Sequence, residues 1–528
     1  MTYKVLITDP LSEEGLLPLR NADNIDIQIA TDLTYDDLLE SIQDADALLV
    51  RSQTEVTREV IEHAKQLKVI GRAGVGVDNI DLDAATEYGV IVVNAPNGNV
   101  NSAAEHTMAM LMALARKIPQ AYMSLKNGRW DRSSHMGVEV KDKVLGIIGL
   151  GRIGTEVAYR AKGQRMNVIA YDPFFTEEKA EAMGISFGTY EEVLQTADFI
   201  TVHTPLLQET HHLINAEAFA MMKETAQIIN CARGGIIDEE ALYEALIRNK
   251  IAGAALDVFE NEPIEHHPLL QLDQVIATPH LGGSTVEAQE NVAIDVSHDV
   301  VNILSGGLAK NPVNIPSIPQ EVLQEIEPYF DLAEKLGSFL ARLESDTFEE
   351  LHISYAGAFH DIDVTPLTRN MVKGLLQRHL GERVNNVNAS YLAEKKGLSI
   401  HEHKTSSSKG FTNLLTVEVK TTTGKRRVSG TLLNGLGARI VQVDDYSMDV
   451  VPEGHMLFIS HKDQPGAIGR VGMILAEEQI NIATMQVGRK QEGGDAIMVL
   501  TIDKPISEQT IQHIHELSDI YRLTAIDM

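Results

Sequence analysis

The feature that most restricts the fold of this 528-residue chain lies in its first half, where an unbroken apolar run, Val144-Leu145-Gly146-Ile147-Ile148, leads straight into Gly149-Leu150-Gly151-Arg152-Ile153-Gly154. An apolar run without alternation reads as a strand buried on both faces, as in a parallel sheet covered by helices. Gly149, Gly151 and Gly154 would let the backbone turn sharply and approach a pyrophosphate at the positive end of the following helix. Asp172 ends the next strand candidate, 18 positions after Gly154. Its carboxylate is placed to accept hydrogen bonds from an adenosine ribose and to repel a 2′-phosphate, which favours NAD over NADP. Further buried-strand candidates at 199–203, 228–230, 253–256 and 275–278 complete a doubly wound sheet.

A chain of this length exceeds one hydrophobic core, and about one domain per 150 residues predicts three or four. Short apolar runs alternating with helix-like stretches from Tyr3 to about Ala95 predict a first parallel α/β unit. Residues 103–116, with Ser102 as cap and Glu105 as its capping-box partner, predict a buried central helix. Pro312, Pro316 and Pro319 mark a linker. Beyond it, residues 321–450 predict an α+β unit with two helical stretches and a hairpin turn at Thr421-Thr422-Thr423-Gly424-Lys425, followed by a βαββαβ unit. The expected division is 1–98 with 287–316, then 99–286, 317–452 and 455–528.

A net charge of -30 argues against nucleic acid or an anionic membrane as partner, and an anionic substrate would need local cations. The single cysteine, Cys231, excludes an intrachain disulfide framework and fits a reducing compartment, the cytoplasm by default. Neither a signal-peptide pattern nor an apolar run of membrane-spanning length is apparent. The pairs His211-His212, His266-His267 and His401-x-His403 lack spaced partners of a recognisable metal site, so no catalytic metal is expected.

Three charged residues stand in loops after successive strand candidates: Arg233, Glu262 and His280. Oxidation of an alcohol needs a base for the hydroxyl proton, a group that holds the base, and, for a hydroxyacid, a cation for the carboxylate. His280 suits the first role, Glu262 the second and Arg233 the third. The stretches around them, Asn230-Cys231-Ala232-Arg233-Gly234-Gly235, Asp257-Val258-Phe259-Glu260-Asn261-Glu262-Pro263 and Thr278-Pro279-His280-Leu281-Gly282-Gly283-Ser284, resemble the signatures of D-2-hydroxyacid dehydrogenases. The resemblance covers about residues 3–316. It implies that Arg233, Glu262 and His280 are catalytic, and that Arg152, Ile153, Asp172, Thr204, Cys231, Asp257, His280 and Gly283 line the NAD site with Val75 nearby, where some relatives have threonine.

Within that family the first unit is most similar to phosphoglycerate dehydrogenases, through Leu49-Val50-Arg51-Ser52, the glycine-rich stretch from Gly71 to Asn79 and Asn97-Gly98-Asn99. This implies 3-phosphoglycerate as substrate, with Arg51, Ser52, Arg72, Gly76 and Asn99 as candidate contacts. Arg132, after Trp130-Asp131, resembles a cation supplied to a neighbouring subunit, which implies an oligomer, a homotetramer by family. His461-Lys462-Asp463-Gln464-Pro465-Gly466, with Asn481-Ile482, resembles an ACT domain; His461, Asp463 and Asn481 would then hold an amino-acid effector, L-serine above all, although relatives often have asparagine at the position of Asp463. The preceding unit resembles an allosteric substrate-binding domain by position and length. Two alternatives stay open, an NAD-sensing binding protein and a reductase of glyoxylate or hydroxypyruvate.

Overall fold

The computed structural model describes residues 2–344, 346–408, 410–422 and 424–528. The apolar runs of the first part form five strands: β1 (Tyr3–Ile7), β2 (Ile25–Ile29), β3 (Ala47–Val50), β4 (Val69–Arg72) and β5 (Ile91–Asn94). All pair in parallel, in the order β2-β1-β3-β4-β5. The glycine motif opens a second parallel sheet of β6 (Val144–Ile148), β7 (Asn167–Tyr171), β8 (Ser186–Phe187), β9 (Phe199–Val202), β10 (Gln227–Asn230), β11 (Gly253–Leu256) and β12 (Val275–Ala277). Its order is β12-β11-β10-β9-β6-β7-β8. Each sheet winds one way from its first strand and then the other, and such a reversal leaves a crevice at the strands' carboxyl ends where ligands bind. The short edge strand β8 has no apolar run to announce it.

The helix Val100–Ala115 follows β5, and Ala104, Met108, Leu111 and Leu114 bury against the core of the second sheet. It starts three residues earlier than its sequence suggests, and Asn99, not Ser102, is its cap. The Ser102 hydroxyl is instead 2.7 Å from the hydroxyl of Thr285, across the chain's return path. That path continues as the helix Val286–Leu304, which carries Val292, Val296, Val300 and Leu304 into the core of the first sheet beside Val5, Ile7 and Val69. Among the described residues, no helix is long and apolar enough to cross a membrane.

Beyond the prolines, β13 (Phe348–Gly357), β14 (Ser399–Thr405), β15 (Asn413–Thr421), β16 (Gly424–Leu433), β17 (Gly437–Val443) and β18 (Tyr446–Val450) form a third sheet ordered β14-β13-β15-β16-β17-β18. Only β13 and β14 pair in parallel. The expected hairpin is present, with Thr421 opposite Gly424, while Thr423 lies outside the described residues. Two long helices, Phe330–Leu343 and Thr365–Leu380, cover one face, and two short ones, Gln320–Ile326 and Ala389–Lys395, add to the two expected.

The long helices touch through backbone: a Cβ on Gly337 would lie 2.0 Å from the Met371 carbonyl oxygen, and one on Gly374 would lie 2.1 Å from that of Glu334. Gly337→Ala must push the pair apart, and overpacking of this kind costs about 1–3 kcal/mol. A lowered urea midpoint, with the two parallel sheets retaining their near-native circular dichroism, is the expected result.

The chain ends in β19 (His455–Lys462), β20 (Ile482–Arg489), β21 (Asp495–Ile502) and β22 (Ile520–Asp527), ordered β20-β21-β19-β22, with helices Ala467–Glu477 and Glu508–His515 in the crossovers. This is the βαββαβ unit expected from sequence. Met456, Phe458, Val499 and Ile526 join the core under the third sheet, so the last two units share one hydrophobic interior.

Candidate active site

The turn after β6 is built for close approach. Gly149 sits at φ 94°, a left-handed conformation open to glycine, and a Cβ there would lie 2.6 Å from the His203 carbonyl oxygen. The helix Arg152–Gly163 begins at Gly151 without any side-chain cap, so its first N–H groups face outward. A cavity of about 650 Å³ opens there, lined by Asn97, Gly151, Arg152, Thr155, Asp172 and Phe174 among others. Above Gly151 there is free space. The Asp172 carboxylate accepts from the backbone N–H of Leu150 at 2.8 Å with one oxygen and from that of Phe174 at 2.8 Å with the other. It therefore braces the glycine loop and keeps lone pairs for a ribose. Ile153 packs its side chain against the sheet core. The Thr204 hydroxyl and the Asn99 side-chain oxygen are buried without a hydrogen-bond partner, two polar groups awaiting one. Asn99 also abuts Gly283, whose Cβ would lie 2.9 Å from its amide nitrogen. A dinucleotide fits this cradle.

His280 and Glu262 meet at the carboxyl end of the same sheet, with His280 Nδ1 2.7 Å from Glu262 Oε2. Burial alone would raise the Glu262 pKa, but hydrogen bonds from His280 and from the Phe259 N–H hold it below the usual carboxylate range. With Nδ1–H donating to that carboxylate, Nε2 is left as the acceptor. His280 takes a left-handed φ of 54°, and the turn around it is held from below by Asp257. That carboxylate is 1% exposed and accepts from the N–H groups of Leu281 at 2.7 Å and Gly282 at 2.8 Å and from the Thr278 hydroxyl at 2.5 Å. His106 Nε2 lies 3.1 Å away. Cys231 is buried beside it, and burial pushes its thiol up to about 12. The structure thus sets the side chains of Asp257 and Cys231 behind the loop that presents His280.

Arginines gather at the other wall. Arg72, at the end of β4, is mostly buried, and its Nε has no hydrogen-bond partner. Burial and the neighbouring guanidinium groups of Arg233 and Arg51 pull its pKa down to about 10. It stays cationic at neutral pH beside the two other guanidinium groups. Gly76 admits the crowding, since a Cβ there would lie 2.0 Å from Arg233 Nη2. Arg233 reaches across the cleft from the second sheet to the first, with Nε 3.2 Å from Asp78 Oδ2. The loop carrying Arg51 and Ser52 is fixed by the buried carboxylate of Asp9, which accepts from the N–H groups of Arg51 at 2.5 Å and Gln53 at 3.2 Å. Asn79 donates to the Arg51 carbonyl at 2.8 Å. The Val75 carbonyl accepts from the Asn94 amide at 2.6 Å.

Sequence reasoning passed over Asp9, Asp78 and His106. Only Asp9 carried a visible signal, an acid directly after the strand Lys4-Val5-Leu6-Ile7-Thr8. Arg132 lies in the stretch between the helix Ile118–Lys126 and β6. It follows the helix Ile118–Lys126, which buries none of its residues, and sits near Trp130, 82% exposed. In the last unit, His461 is buried with Nε2 unpartnered, and Asp463 accepts from Arg489 at 3.3 Å and from the Gly493 N–H at 3.2 Å. Asn481 lies elsewhere. His461 pairs with Ala496 at one end of β21, whereas Ile482, next to Asn481, pairs with Ile502 at the other, about 20 Å along the strand.

Comparison with known proteins shows the family. The model of the D-isomer specific 2-hydroxyacid dehydrogenase NAD binding domain matches residues 108–282, that of the D-3-phosphoglycerate dehydrogenase intervening domain matches 325–444, and that of the ACT domain matches 455–519. The chain is 44% identical over 526 residues to the D-3-phosphoglycerate dehydrogenase of Bacillus subtilis, covering 100% of both chains. It is 46% identical to that of Methanocaldococcus jannaschii, over 99% of this chain and 100% of the other. Among solved structures, D-lactate dehydrogenase from Aquifex aeolicus, in complex with NAD and lactic acid, is 29% identical with a TM-score of 0.53, over 59% of this chain and 100% of that one.

Proposed function

Because the chain belongs to the D-3-phosphoglycerate dehydrogenase family, we propose that it oxidises 3-phospho-D-glycerate to 3-phosphohydroxypyruvate with NAD, the step committing carbon to L-serine synthesis. The observation that carries this reading is the cluster of Arg51, Arg72 and Arg233, the last of which stands, like the His280–Glu262 pair, in a loop after a strand of the second sheet. A substrate with a carboxylate at one end and a phosphate at the other matches such a cluster.

NAD, which the Gly149–Gly151 turn, the start of the helix Arg152–Gly163 and Asp172 would hold, would supply the acceptor for the hydride from C2. His280 Nε2 takes the hydroxyl proton, so the C2 oxygen becomes a carbonyl as both hydrogens depart. Glu262 holds the ring through Nδ1 and balances the charge the imidazole acquires. Arg233 clamps the substrate carboxylate and polarises the C2 oxygen. Arg72 and Arg51 bind the phosphate, with Ser52, Gly76 and Asn99 shaping the pocket. Asp257 acts through the loop it braces, and Asp172 selects NAD.

Regulation follows from the last unit. The unpartnered Nε2 of His461, with Asp463, makes one half of a serine site, and Asn481 of a second copy makes the other, because within one chain these residues stand at opposite ends of the sheet. A second contact between copies would cover the exposed apolar side chains of Tyr122, Leu125 and Trp130 and bring Arg132 to a neighbour's cleft. Two such interfaces close a homotetramer. One buried free cysteine suits the cytoplasm.

The test is NADH formation from D-3-phosphoglycerate, D-glycerate and D-lactate, each with and without L-serine. Phosphate-dependent turnover suppressed by serine is expected. Turnover that ignores the phosphate would overturn the substrate assignment, and indifference to serine would overturn the regulation.

A further inference from the structure

The outer face of the third sheet brings together residues that the chain keeps 50 positions apart. β13 and β14 run parallel, with His352 opposite His401 and Ser354 opposite His403. Side chains alternate along a strand, so Glu350 and His352 stand on the same face as His401 and His403. The opposite face, through Leu351 and Ile353, is buried beneath the helices. The His352 ring stacks on that of His401 with centroids 4.8 Å apart, and lies parallel to that of His403 at 5.9 Å. One ligand atom from each of Glu350, His352 and His401 falls within 4.8 Å of the others.

Glu350 Oε1 receives the Lys420 ammonium at 2.7 Å, and its Oε2 lies 2.9 Å from His352 Nε2. Glu418, opposite His352 on β15, adds a second carboxylate to the same face. Imidazole nitrogens beside carboxylate oxygens form a donor set for borderline-soft divalent metals, whereas magnesium and calcium require mostly oxygen ligands.

We propose that Glu350, His352, His401 and His403 form a binding site for a divalent transition metal of the zinc class, outside the catalytic cleft. The ion exchanges the His352–Glu350 hydrogen bond for bonds to both residues and ties the edge strand β14 to β13. This places it close to a joint in the molecule. β14 follows the helix Ala389–Lys395, whose Lys395 pairs with Glu87 of the first unit, and the Asn385 amide donates to the Gly89 carbonyl at 2.8 Å. Occupancy thus stiffens the sheet edge behind the contact between the third sheet and the first.

The full-length protein, stripped with a chelator and titrated with zinc chloride in a calorimeter, is expected to take up one ion per chain tightly and to melt at a higher temperature with zinc than without. Because His401 and His403 are exposed, His401→Asn combined with His403→Asn keeps the fold, as circular dichroism would show, and abolishes both effects. Cobalt(II) provides a second readout, a visible spectrum of nitrogen and oxygen ligation with no thiolate band. Failure of the wild type to bind zinc stoichiometrically would overturn the proposal. So would uptake unchanged in the double variant, or a thiolate band pointing to the buried His106, Cys231 and Asp257 cluster.

Discussion

Replacing His280 by asparagine lowers kcat by about 10²–10⁴-fold, the range that a positioned general base contributes. Asparagine fills most of the imidazole volume and can still donate to Glu262 but accepts no proton at neutral pH. The loop should stay in place, because Asp257 holds it through the N–H groups of Leu281 and Gly282 rather than through the His280 side chain. NADH affinity, read by fluorescence quenching, is therefore expected to match the wild type while single-turnover oxidation collapses. Glu262→Gln should retain more activity, since glutamine can orient the ring without balancing its charge, and its loss should be largest where the imidazolium must persist. An H280N protein with turnover near that of the wild type would remove His280 from the mechanism.

The second large effect is on substrate choice. Arg72→Met should raise KM for D-3-phosphoglycerate by about 10- to 100-fold, equivalent to the ~1.5–3 kcal/mol of a hydrogen bond to a charged group. Turnover of D-glycerate, which has no phosphate, should change little. Methionine suits the space because Arg72 is largely buried and its removal relieves the repulsion it suffers from Arg233 and Arg51. The fold should accordingly gain or hold stability while phosphate recognition is lost, which separates a binding role from a structural one. Equal loss with both substrates would instead make Arg72 a support for Arg233, and the phosphate would have to be met elsewhere.

The metal and effector readings depend on long-range pairing in a way the catalytic reading does not. His401-x-His403 carries the spacing of two residues on one face of a strand, but its neighbours His352 and Glu350 come from a strand 50 residues earlier, through a parallel register that no local pattern encodes. The start of the helix Val100–Ala115 differs from expectation for the same kind of reason. Ser102 has the chemistry of a cap, yet Thr285, more than 180 residues away, takes its hydroxyl. A capping residue is recognised by composition; whether it caps is settled by what else comes within reach.

The chain's local chemistry was sufficient for the two parallel sheets apart from the edge strand β8, and for the glycine turn, the acid after β7 and the His280, Glu262 and Arg233 loops, because these depend on short-range rules: buried strands are apolar throughout, tight turns need glycine, and ligand loops follow strand ends. Tertiary structure alone decided what surrounds them. It put Asp257 and Cys231 behind the His280 loop, drew Arg51, Arg72 and Arg233 into one electropositive wall with Gly76 making the room, and parted Asn481 from His461 by the length of a strand. Charge crowding, burial and strand register arise between distant segments, and no window along the sequence contains both partners.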